Sequence, residues 1–418
     1  MDNFLRLSAV KQPASASERL RVKTGQDATA APSHAARAHF NKGVHGARGL
    51  FAFAVFMFHV ANSGLGTFPL LATPVGDFIM RTPEYGVELF FCISGYVIAG
   101  TLRRARSPAA FLEDRAIRIY PVLWASILAI VGLGLATGTH AFANERLSHL
   151  AWTVPLNLLA LPGILPFDNI HPAAWSLSYE MAFYLFCTAC WAMRQRLGPV
   201  AYWIAAPAAM VLIATYPRGV FLLSGVLVAE GWTRGRTLVR LTGRLTWRLT
   251  RHPLPLILLF LLCWRMVQEL SLPVHIINTT MLDWATDARL PLAALGIVSA
   301  TLGFAGIVEG HGAFGRILRS RPFQYLGTIS YSFYLWHPIV MSGVKTALLH
   351  AGVPQAAGMW AQVVFFVVAL PPALAVSDAS QRILERRLAI WLRRRLHHPP
   401  PIQPPAIDPS PRPVMERA

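Results

Sequence analysis

The sequence predicts an all-α protein, a polytopic transmembrane bundle of about ten helices with both termini cytosolic. Three observations predict it. Hydrophobic residues make up 54% and charged residues only 14%, against about 25% charged in soluble domains. Apolar runs close to the roughly 20 residues that cross a bilayer recur from residue 49 to 376. Basic residues also alternate from one side of these runs to the other.

The expected spans are roughly 49–66, 86–102, 117–137, 174–193, 199–215, 217–233, 253–272, 289–309, 325–346 and 356–376. One side gathers the Arg103, Arg104 and Arg106 turn, Arg194 and Arg196, the 234–251 loop, Arg316 to Arg321, and Arg393 to Arg395. The other holds Arg81, Arg146, Arg218 and Arg289. The positive-inside rule puts the first group in the cytosol, which needs an even number of spans and agrees with ten. The apolar segment near 150–165 is open to a re-entrant reading.

Outside the spans, residues 1–42 lack the apolar core of a signal peptide and read as a disordered cytosolic tail. Residues 43–385 form the membrane domain, and 386–418 form a basic, then Pro-rich cytosolic tail. Between the sixth and seventh spans, Arg236, Arg240, Arg244 and Arg248 repeat every four residues, as a basic amphipathic helix lying on anionic lipid would. The net charge of +18 is thus spread along membrane edges, which argues against a nucleic-acid partner. Cys92, Cys187, Cys190 and Cys263 all fall in spans and read as small apolar residues. The single CxxC lies mid-helix without a second pair, so no metal is expected.

Ionisable groups at membrane depth cost several kcal/mol and are functional candidates. Five segments carry them. In 46–59, Arg48 and His59 are separated by ten residues; eleven steps return to the same helix face and place His59 about 16 Å further along the axis. In 86–96, Glu88 starts a span, and Ser94 and Gly95 lie at depth, where Gly95 admits a close neighbour. In 111–124, Arg115 and Arg118 lie one turn apart, a spacing that suits phosphate and equally suits arginines snorkelling at a helix end. In 175–186, Ser176, Glu180 and Tyr184 form one polar stripe, and in 326–338 Ser330, Tyr334 and His337 form another, with His337 at a depth close to that of His59.

Together the Arg-ten-His element, FFCISGY, RAIRIYP, WSLSYEMAFY and ISYSFYLWHP resemble, in order, the acyltransferase-3 family of bacterial membrane acyltransferases, over roughly residues 43–385. The resemblance implies a multi-pass protein of the bacterial inner membrane. It implies His59 as catalytic histidine, Arg48 as its motif partner, and Arg115 with Arg118 in a site for cytosolic acetyl-CoA, the acyl donor. The acceptor it implies is a hydroxyl of a saccharide or lipid-linked sugar. Glu180 is then a catalytic or orienting carboxylate, and Glu88, Ser94, Ser176, Tyr334 and His337 are candidate substrate-binding residues. Glu88 departs from the family's Asp, ERRL (385–388) from a common Glu-x-Pro ending, and no esterase-like domain follows the spans.

His59 can serve as general base on the acceptor hydroxyl or as transient acyl carrier. The rival class is a transporter or flippase with Glu180 and His59 as a proton relay. A serine hydrolase is excluded for want of a GxSxG elbow. The acceptor's identity, the acyl chain and the oligomeric state leave no signature.

Overall fold

A computed structural model describes residues 41–66, 73–137, 147–231, 249–269, 280–286, 289–310 and 312–396. The expected terminal tails (1–40 and 397–418) and nearly all of the expected basic amphipathic helix (232–248) lie outside the described residues. Among those described there is no β-strand, and the regular elements are all helical.

In chain order the principal helices are α1 (Lys42–Ala61), α2 (Pro74–Arg81), α3 (Gly86–Leu102), α4 (Pro108–Thr137), α5 (Leu147–Leu158), α6 (Trp175–Leu197) and α7 (Ala201–Thr215). They continue with α8 (Val220–Ala229), α9 (Pro253–Glu269), α10 (Leu290–Glu309), α11 (Arg321–His350) and α12 (Ala361–Ser380). A π-helical segment, Gln381–Leu388, then runs into α13 (Ala389–Leu396).

Each expected span coincides with one of these helices, but by length and composition six stretches among the described residues suffice to cross a membrane. They are Lys42–Ala61, Pro74–Leu102, Pro108–Thr137, Trp175–Thr215, Leu290–Glu309 and Val353–Leu396. The difference from ten arises because Trp175–Thr215 takes in two expected spans. In addition, Pro217–Ala229 and Pro253–Gln268 are short, and α11 is long but carries a polar face. The segment near 150–165 is the 12-residue α5 followed by irregular chain, too short to cross.

Two boundaries move. α4 begins nine residues ahead of the expected 117, because Ser107 Oγ accepts the Ala110 N–H (3.1 Å) and Pro108 occupies the first helical position. Beyond 385, where a tail was expected, helix continues to Leu396. Arg393 there binds Asp114 of α4 at 2.6 Å.

Two helix pairs set the frame. α1 and α11 run parallel and meet backbone to backbone: a Cβ on Gly49 would come within 2.6 Å of the Gly327 nitrogen, and one on Gly327 would strike the His45 carbonyl oxygen. α3 and α8 also run parallel. A Cβ on Gly95 would strike the Leu222 carbonyl, and one on Gly225 that of Cys92. Gly95 therefore admits a helix, not a ligand. Ion pairs hold this second pair at both ends, Glu88 with Arg218 and Arg103 with Glu230. Small residues at such crossings gain dispersion contact where lipid provides no hydrophobic drive.

Candidate active site

Five helices, α1, α3, α4, α6 and α11, enclose a cavity of about 80 Å³ whose polar lining is Arg48, Ser94, Arg115, Arg118, Ser176, Glu180, Tyr184, Ser330, Tyr331 and Tyr334. The predicted Ser176–Glu180–Tyr184 stripe faces it whole, and of the second stripe Ser330 and Tyr334 do, since a period of 3.6 puts them on the inner side of their helices. They interlock across the cavity. Ser94 Oγ donates to Glu180 Oε1 at 3.0 Å, and Tyr184 donates to the same oxygen. Ser176 and Tyr334 share a hydrogen bond of 3.0 Å. Tyr331 ties α11 to α4 by donating to the Ile119 carbonyl at 2.7 Å.

The arginines divide in a way that the spacing of Arg115 and Arg118 does not predict. Arg115 is buried over the Phe111 and Tyr184 rings (5.8 and 6.0 Å) and paired at 2.8 Å with Asp114, a carboxylate it shares with Arg393. Arg118 and Arg48 line the cavity with no ion-pair partner among the described residues. The cationic pair is thus Arg48 with Arg118, from two different helices. Their lining neighbour Glu180 accepts two hydroxyl donors and acts electrostatically on Arg48. Glu385, presented by the π-helical segment, also lies within electrostatic reach of Arg48. It accepts from the Ser332 hydroxyl at 2.6 Å.

His59 and His337 do not line this cavity. The rise between Arg48 and His59 accounts for that, because one same-face step of about 16 Å outruns a cavity this small. The two histidines instead meet each other, ring centroids 5.3 Å apart, beyond Tyr334. Their expected common depth is what brings them together. Around them Pro338, lacking an N–H, removes the ladder donor of the Tyr334 carbonyl, and two neighbouring α11 carbonyls take side-chain donors. His337 Nδ1 donates to the Phe333 carbonyl (2.8 Å) and His171 Nε2 to that of Leu335 (2.9 Å). His171, fully buried in the chain before α6, gave no periodic signal. A second cavity, of about 420 Å³, opens beside these histidines between the far ends of α4 and α11, lined by Leu133, Ile170, Pro172, Pro338 and Ser342 among others.

Glu88 belongs to neither cavity. It is packed at the start of α3, 3.3 Å from Arg218 and accepting from Trp264 Nε1 at 3.1 Å, with Arg218 laid over Trp175. The four cysteines are buried thiols.

A helical bundle with several membrane-length apolar helices, a polar cavity at one level and a histidine pair at another, is that of a multi-pass membrane protein. The chain belongs to the acyltransferase-3 family: residues 41–380 match the family model described as "Acyltransferase domain". It is 29% identical over 320 residues to the exopolysaccharide production protein ExoZ of Rhizobium meliloti, covering 72% of this chain and 88% of that one. Over 326 residues it is 26% identical to the acyltransferase MdmB of Streptomyces mycarofaciens (71% and 78% covered). Nodulation protein 10 of Rhizobium leguminosarum bv. viciae is 25% identical over 216 residues (44% and 58%). No solved structure matches the chain.

Proposed function

We propose that this protein moves an acyl group, acetyl in the simplest case, from cytosolic acyl-CoA to a hydroxyl of a cell-surface or lipid-linked saccharide at the outer side of the inner membrane. The observation that carries the reading is the stacking of two different sites along α1 and α11. Arg48 and Arg118 face a cavity at the end expected to be cytosolic, and His59 and His337 pair about 16 Å further along. Phosphates of the donor suit the two guanidinium groups, which bind oxyanions in charge-assisted hydrogen bonds. The thioester arm then follows the polar ladder of Glu180, Ser176 and Tyr334 toward His59.

Neutral His59 takes the proton of the acceptor hydroxyl as that oxygen attacks the acyl carbon. The exopolysaccharide role in the name of one relative supports a saccharide acceptor, and the larger outer cavity offers room beside the histidines. Purified protein supplied with acetyl-CoA should release free thiol in the presence of acceptor glycan, and His59→Ala should lower that rate by about 10²- to 10⁴-fold, the worth of a general base. Full turnover in His59→Ala, with the variant inserted normally, would remove His59 from the reaction. A transporter using Glu180 and His59 as a relay would consume no thioester at all.

A further inference from the structure

His337 is fully buried, and its two ring nitrogens are treated differently by the fold. Nδ1 lies 2.8 Å from the Phe333 carbonyl, which can only accept, so Nδ1 carries the proton. Nε2 is then a lone pair, and it is buried with no hydrogen-bond partner. An unmet buried acceptor is destabilising. A site chosen for packing alone, between Phe56 and Phe333, would be filled more stably by an apolar side chain. Beside this lone pair stands His59, its ring centroid 5.3 Å away and tilted by 42°. The two rings are thus neighbours, and rotation of the His59 ring can bring one of its nitrogens toward Nε2.

We infer that His337 is the positioning residue of His59, its fixed Nε2 accepting the N–H of the His59 ring so that the other His59 nitrogen is presented unprotonated to the acceptor hydroxyl. The fold supplies each step of this order. The Phe333 carbonyl sets the His337 tautomer, and His171 ties the neighbouring Leu335 carbonyl to the chain before α6 at 2.9 Å. His337 in turn sets the tautomer of His59. A base whose second nitrogen is held in this way keeps the right tautomer and gains a partner for the charge that develops on it.

The inference rests on the reading of His59 as base. In the transfer, the hydroxyl proton passes to the free nitrogen of His59, and the new O–C(acyl) bond forms as the C–S bond of the thioester breaks. The departing thiolate then takes the proton from His59. His337 exchanges no proton in the balance.

Two substitutions separate positioning from packing. His337→Phe keeps the ring stack and removes the acceptor; His337→Gln puts an amide oxygen close to the place of Nε2. With acetyl-CoA and an acceptor glycan, His337→Phe should lower kcat by about 10²-fold or more while the KM for acetyl-CoA moves less than about twofold. His337→Gln should recover at least about tenfold of that loss. Should the Phe variant not fold, judged by its thermal unfolding in detergent, His337→Met fills the space in its place with the same expectation. Wild-type kcat in the apolar variant, or equal losses in the apolar and Gln variants, would overturn the positioning role. His59→Ala, assayed in parallel, tells the two failures apart. If it is inactive while His337→Phe is fully active, only the positioning role falls. If it is active, the assignment of His59 falls and this one with it.

Discussion

Two groups of buried charge sit in the same bundle and are built in opposite ways. Around Glu88 the carboxylate is 1% exposed and the Arg218 side chain 9%, with Trp264 donating from one side and Trp175 covering the other. Nothing there opens onto a described cavity. Around Arg48 and Arg118 two cations of like sign line a cavity, unpaired, beside a carboxylate already occupied by hydroxyls. Charge within a membrane domain therefore has two uses. Where it is ion-paired and packed it joins helices, and where cations line open space without a direct ion pair it is free to meet a ligand.

Substitution breaks or sharpens that contrast. Glu88→Ala strands the Arg218 cation and should cost about 3–5 kcal/mol of stability, read as a loss of folded protein on denaturation in detergent. A variant as stable as the parent would show the pair to be a site rather than a joint. Arg48→Ala and Arg118→Ala should each raise the KM for acetyl-CoA by about 10- to 100-fold, the equivalent of one charge-assisted contact of about 1.5–3 kcal/mol. Their thermal midpoint should hold or rise, because two like charges no longer repel. Equal destabilisation in these variants would erase the distinction. Arg393→Ala breaks a pair that is 48% and 42% exposed. Water and salt screen such a contact, so the effect should stay below about 1 kcal/mol in the same denaturation assay.

Much of the candidate site was legible because helical periodicity alone places polar residues on one face. The Ser176–Glu180–Tyr184 stripe and Ser330 with Tyr334 face the cavity, and the similar depth expected of His59 and His337 matches their meeting, which itself was not expected. Pairings between helices left no trace in one dimension. That Ser94 serves Glu180, that Arg48 meets Arg118, and that Glu88 is met by Arg218 depend on which helices pack together. Hydropathy also stops at the last apolar residue. It therefore missed the start of α4, capped by Ser107, and the helix beyond Ser380 that carries Glu385. His171 lies in irregular chain, where no period exists to mark it.

The glycine contacts between α1 and α11 have a mechanical consequence. Ridges of side chains let neighbouring helices slip from one set of grooves to the next, but here Gly49 and Gly327 bring main chain against main chain, and Phe56 is wedged on Phe333 at 5.5 Å one turn before the histidines. A one-turn slip would drive side chains into peptide groups. The two levels built between α1 and α11, Arg48 with Ser330 and Tyr334 below and His59 with His337 above, are therefore locked in one register.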